Sequence, residues 1–128
     1  MSSRALANAE AALKQLVAFL AVPAVSDRDR AGVIQAFEFT FEATWKLLKH
    51  LAEAEGVVAE SPKRALIAAH KMGIVKDEAL WLDMLRDRNL SSHVYHVDLA
   101  ERIFVAVRDR YAAALAESVG IARSTLAK

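Results

Sequence analysis

The sequence predicts an all-α protein, an up-and-down four-helix bundle with one additional short helix. Three observations carry this. Apolar residues recur at three- and four-residue steps over long stretches, Ala and Leu dominate the composition, and no stretch alternates with the two-residue period of a strand. Short connections between four long helices and one short one favour antiparallel neighbours.

Leu6, Leu13, Leu16, Val17 and Leu20 mark an amphipathic helix over residues 3–21, with Ser3 near its start and Pro23 in the following connection. Ser26, Asp27 and Asp29 supply a cap and first-turn acids for a second helix that runs unbroken until Gly56, roughly 40 Å at the standard rise. Its core stripe is Val33, Ile34, Phe37, Phe41, Thr44, Trp45, Leu48, Leu51 and Ala52. Phe39 projects away from that stripe, and with Ala36 and Ala43 it makes an apolar patch suited to a homodimer interface.

Ser61 and Pro62 form a cap and first-turn proline for a short helix closed by Gly73. From Ser61 to Lys76 there are four cations, Lys63, Arg64, Lys71 and Lys76, and no acid, a pattern read as a solvated basic surface in preference to the alternative, a phosphate-binding patch. Asp77 caps a fourth helix carried by Leu80, Trp81, Met84 and Leu85 to about Leu90. Asp98 and Glu101 resemble a capping box for the last helix, whose stripe includes Ile103, Val107, Tyr111 and Ala114. Residues 1–120 are expected to form a single domain, with 121–128 a frayed tail.

At 128 residues the chain can bury one core. Apolar residues make up 55% and charged residues 26%, which fits a globular protein. Seventeen basic and 16 acidic side chains leave a net charge of +1, so any affinity for nucleic acid must be local. Cysteine is absent, which removes disulfides, thiolate metal sites and a thiol nucleophile. No apolar run approaches the 18 or so residues of a membrane span, and the amino terminus lacks the apolar core of a secretory signal. A cytoplasmic protein with no membrane partner is expected.

A di-iron site is the first chemistry to test, because Glu38 and Glu42 lie one turn apart on the second helix. No glutamate is followed by a histidine three residues on, so that reading fails, and a Glu42–Lys46 surface pair explains the carboxylate. There is no phosphate-loop or zinc-protease motif, and neither metal nor cofactor is expected.

What remains is residues 86–96, where Arg86, Arg88, Asn89, two serines, His93, Tyr95 and His96 crowd between one helix end and the next helix start. In a continuous helix Arg88 and His93 would stand about 140° apart, while Arg86 would align with His93. A turn instead lets Arg88 and His93 converge on one phosphate. The guanidinium would hold oxygens and stabilise developing charge while the imidazole moves protons, which suffices for RNA cleavage without metal. Arg86 and His96 are candidates for further RNA or phosphate contacts.

Residues 32–46, Gly-Val-Ile-Gln-Ala-Phe-Glu-Phe-Thr-Phe-Glu-Ala-Thr-Trp-Lys, resemble the second-helix signature of the HEPN family, in its branch of nucleotidyltransferase substrate-binding proteins and HepT-like toxins. The order of Ser61-Pro62-Lys63, Met72-Gly73-Ile74, Trp81 to Leu85 and Asp87 to Leu90 agrees with that branch, over a match from about residue 6 to Tyr111. The resemblance implies a HEPN-like bundle whose motif of Arg, polar residue and His is filled by Arg88, Asn89 and His93, with Tyr95 two residues beyond. It implies a homodimer that brings two such segments into one cleft, and a minimal nucleotidyltransferase partner that attaches a nucleotide to Tyr95. The function so implied is a metal-independent endoribonuclease toxin of a toxin-antitoxin pair. The alternative is a non-catalytic subunit that binds substrate or nucleotide for the transferase.

Overall fold

The computed structural model describes residues 2–93 and 96–128. Among them the secondary structure is helical throughout: α1 (Ser2–Leu20), α2 (Asp27–Ala54), α3 (Pro62–Lys71), α4 (Glu78–Leu90), a 3₁₀ turn (Ser91–His93), α5 (Val97–Ala106), a π-helical turn (Val107–Tyr111) and α6 (Ala112–Ala127). Because α5 passes into α6 through the π turn without a break, the chain makes four long rods with α3 as the short one. This is the predicted architecture.

Local chemistry sets the boundaries. Ser26, Ser61 and Asp77 each accept a hydrogen bond from the backbone N–H three residues on, which satisfies a donor that the first helical turn leaves open. At the other ends, Gly56 and Gly73 adopt φ of +79° and +78°, a region costly for residues with a Cβ. The next residue then reaches back to close each helix, Val57 to the Ala52 carbonyl and Ile74 to the Ala69 carbonyl, both at 2.9 Å.

Two boundaries differ from the sequence expectation. The last helix begins at Val97 behind His96, with no side-chain cap bond, so Asp98 lies inside the first turn and its acidity acts there on the helix dipole. At the far end α6 continues to Ala127, where a frayed tail was expected. Ala122 is fully buried and Arg123 pairs with Glu10 of α1 at 2.5 Å, so tertiary contact holds residues that local sequence does not mark.

The longest helix, α2, is the spine and touches α1, α3, α4, α5 and α6. Val33, Ile34, Phe37, Phe41, Leu48, Leu51 and Ala52 of its predicted stripe are buried, joined by Ala36, Thr40 and Leu47. Thr40 and Thr44 satisfy their buried hydroxyls on the carbonyls of Ala36 and Thr40, each at 2.7 Å. An aromatic row crosses the interior: Tyr111 stacks on Phe37 at 5.6 Å between centroids, Phe37 meets Phe41 at 6.3 Å, and Phe41 meets Trp81 at 6.2 Å. Burying each such ring stabilises the fold by about 2–3 kcal/mol. The row joins the π turn, α2 and the first turns of α4, and so seats α4 on the bundle.

Candidate site at the end of α4

The polar segment divides at Leu90. Arg86, Arg88 and Asn89 remain on α4, and departure from α-helical geometry begins only at Ser91, in the 3₁₀ turn that ends at His93. Val94 and Tyr95 lie outside the described residues, so the structure neither places the Tyr95 hydroxyl nor relates it to the groove. His93 and His96 are both exposed, His96 as the residue that precedes α5.

Arg88 points toward α2. Its guanidinium Nη2 is 3.7 Å from Glu42 Oε2, an ion-pair distance too long for a good hydrogen bond, and its side chain is 33% exposed. Glu42 has other partners: Oε2 accepts from Trp45 Nε1 at 3.0 Å and Oε1 lies 3.5 Å from Lys46 Nζ. One turn earlier, Glu38 accepts a hydrogen bond from the Ser91 hydroxyl, which also lies 2.7 Å from the Arg88 carbonyl. Ser91 is buried, so this contact ties the start of the 3₁₀ turn to α2.

The two glutamates considered from sequence as metal ligands thus brace the polar segment from α2. Their one-turn spacing was the available signal. It does not reveal the partner, because Ser91 is 53 positions from Glu38 in the chain. Among the described residues no group of three His, Asp or Glu side chains converges to hold a metal ion.

Asn89 does not share Arg88's surroundings. It is exposed on the outer face of α4, where it lines a groove of about 370 Å³ with Arg86, Lys63 of α3 and three leucines. Arg86 is exposed, 3.7 Å from Asp83 and 3.6 Å from Asp87. Phe39 is 55% exposed at the middle of α2. It lines a 610 Å³ groove against α1 with Arg4, Asn8, Glu42, Lys46 and His50, and Glu42 is the wall that this groove shares with Arg88.

Sequence reasoning passed over Asp87. Its side chain is fully buried, yet it meets Arg102 through two hydrogen bonds at 3.0 and 3.3 Å and accepts the Tyr111 hydroxyl at 2.5 Å. Burial disfavours its charge, but the hydrogen bonds from Arg102 and Tyr111, with the positive charges of Arg102 and Arg86, outweigh that penalty and hold its pKa below the usual carboxylate range. The Tyr111 phenol is pushed strongly upward, first by burial and then by its bond to the Asp87 carboxylate, so it stays protonated as a donor. The π turn that precedes α6 positions this tyrosine. There Ala112 N–H donates to the Val107 carbonyl five residues back.

Taken chemically, the end of α4 offers a partly exposed guanidinium in loose contact with a carboxylate, an exposed imidazole five residues on, and a separate cationic groove on the opposite side of the helix. A phosphate would compete with Glu42 for Arg88 on favourable terms, since a bidentate charge-assisted contact replaces a long one.

Comparison with known proteins bears on the family and the fold. The family described as nucleotidyltransferase substrate binding protein like matches residues 3–119. A curated Haemophilus influenzae protein named "Probable ribonuclease HepT" is 28% identical over 90 residues, covering 66% of this chain, and the chain spans only 62% of that relative's length. Among solved structures, a Thermus thermophilus protein superposes with a TM-score of 0.82 at 38% identity, covering 90% of this chain and 98% of the other. A second, from Haemophilus influenzae and described as revealing the fold of a substrate binding domain of a nucleotidyltransferase, has a TM-score of 0.71 at 24% identity, covering 95% and 96%. That last likeness speaks to the fold.

Proposed function

The chain belongs to the nucleotidyltransferase substrate binding protein like family, and on that premise we propose that it is the endoribonuclease toxin of a pair whose other member is a minimal nucleotidyltransferase. The observation that carries this reading is a partly exposed, loosely held Arg88 at the end of α4, followed five residues on by an exposed His93 at the end of the 3₁₀ turn. The ribonuclease name of the Haemophilus relative supports it. In the proposed reaction His93 takes the proton from a ribose 2′-hydroxyl and the 2′-oxygen attacks the adjacent phosphorus. The 5′-oxygen then leaves with the proton returned by the imidazolium, giving a 2′,3′-cyclic phosphate and a 5′-hydroxyl. Arg88 stabilises the charge on the phosphoryl oxygens, and no metal enters the step.

In this reading the protein acts in the cytoplasm as a homodimer through the Phe39 face of α2. Exposure of an aromatic at the centre of the longest helix supports that assembly. Asn89 supports the site by binding RNA on the outer face of α4. The transferase would silence the toxin by joining the Tyr95 oxygen to the α-phosphorus of a nucleoside triphosphate, with loss of pyrophosphate and the phenolic proton. The added negative charge then competes with RNA for the cations.

The second reading, a non-catalytic subunit that presents substrate to the transferase, is favoured by the family description itself. Expression separates the two. The toxin reading expects growth arrest by the chain alone, rescue by the transferase, and RNA cleavage that persists in chelator and is lost in Arg88→Ala and His93→Ala. Growth without arrest, together with no cleavage by the purified chain, would favour the binding subunit.

A further inference from the structure

We propose that the groove between α3 and the outer face of α4, walled by Lys63, Arg86 and Asn89 and floored by Leu82, Leu85 and Leu90, is a subsite for single-stranded RNA that holds a nucleotide next to the one at Arg88. This rests on the RNA reading above. Spacing on α4 puts Leu82, Leu85, Arg86 and Asn89 on one face, since they recur at three- and four-residue steps, while Arg88 stands toward α2. Cationic groups therefore lie on both flanks of the same helix end. A strand that passes over this end meets Arg88 on one side and the groove on the other.

The groove's chemistry selects an anion with an apolar body. It has two cations and an amide on its walls, and no carboxylate lines it. Lys63 is exposed and, like Arg64, Lys71 and Lys76, pairs with no carboxylate among the described residues. Among the described residues Arg86 keeps only the long contacts to Asp83 and Asp87, and Asp87 already bonds Arg102 and Tyr111. A phosphate gains two charge contacts there without breaking a short one. The Asn89 amide both donates and accepts, so it is equipped to meet a base edge, and the three leucines, each partly buried, give a base or ribose an apolar floor. In a chain with net charge +1, this local excess of cations decides where a polyanion settles. A position on the same helix end as Arg88, and an apolar floor no larger than three side chains, favour an RNA strand over an acidic protein.

The test uses the full chain carrying His93→Ala, so that a labelled single-stranded RNA oligonucleotide is bound but not cut, with affinity read by fluorescence anisotropy over a salt series. Lys63→Glu should weaken binding about tenfold and lower the slope of log affinity against log salt by about one. The substitution is compatible with folding, because it places an acid in the first turn of α3, and helix content checks this. Lys14→Glu on α1 makes the same change in net charge at another exposed site and should leave affinity within about twofold. In the chain with His93 intact, Lys63→Glu should raise KM for RNA and spare kcat.

Equal affinities for Lys63→Glu and Lys14→Glu overturn the subsite, while cleavage that depends on Arg88 and His93 leaves the endoribonuclease reading standing. Binding that falls with Lys63→Glu in a chain that cuts no RNA supports the subsite and removes the nuclease. Absence of RNA binding overturns the subsite. So does unchanged RNA affinity with loss of co-purification with the transferase, which would make the groove a protein-docking surface.

Discussion

Asp87 and Arg88 are consecutive residues of α4 with opposite surroundings. Asp87 is fully buried and every strong contact it makes is short, to Tyr111 and Arg102. Arg88 is partly exposed, and its one described carboxylate partner stands 3.7 Å away. The 100° turn between neighbours on a helix is enough to send one charge into the core and leave the other at a groove. The difference teaches that the polar segment contains two kinds of polar residue. One group anchors the helix end, and the other is held loosely enough to be taken over by a ligand.

The largest effect expected is on stability. Asp87→Ala removes the acceptor of a buried network and leaves the Tyr111 hydroxyl unsatisfied, so it should cost about 3 kcal/mol and lower the melting temperature by roughly 10 °C. A melting temperature within a degree or two of the parent would show that the network is not an anchor.

Acid should erase that gap. Because the folded-state pKa of Asp87 is depressed, its stabilising contribution is fully present above the unfolded carboxylate value of about 3.9 and is lost as pH falls through the folded value. The stability difference between the parent and Asp87→Asn should therefore be constant from about pH 7 to 5 and shrink below about pH 4. Denaturant melts at each pH measure it, and a difference that grows in acid would reverse the assigned sign.

Tyr111→Phe keeps the ring stacked on Phe37 and removes only the bond to Asp87. It should cost about 1.5 kcal/mol, with the parent RNA affinity retained. On the other side of the comparison, Arg88→Ala and Glu42→Gln should each change stability by less than about 0.5 kcal/mol, because their contact is long and partly solvated. Their functional effects should diverge. On the proposed ribonuclease reading, Arg88→Ala should abolish RNA cleavage, whereas Glu42→Gln should lower KM for RNA by freeing the guanidinium. A KM that rises in Glu42→Gln would mean that the carboxylate positions Arg88 for phosphate instead of competing with it.

The sequence by itself determined the helices, most of their ends and most of the core. Periodicity at 3.6 residues, caps at Ser26, Ser61 and Asp77, and glycines at 56 and 73 act within a few neighbouring residues, so local chemistry is enough to reveal them. It also located the polar segment, because density of Arg, His, Ser and Asn along a short stretch is a property of the chain alone. The tertiary structure decided which member of that segment faces what. Glu38 meets Ser91, Glu42 meets Arg88, and Asp87 meets Arg102 and Tyr111 across separations that no local pattern encodes. The helical course past Gly120 belongs to the same class, since the burial of Ala122 and the pairing of Arg123 with Glu10 of α1 arise only on packing. The physical reason is common to these cases: a side chain's role follows from the dielectric and the partners around it, and both are set by helices that are distant in sequence and meet only on packing.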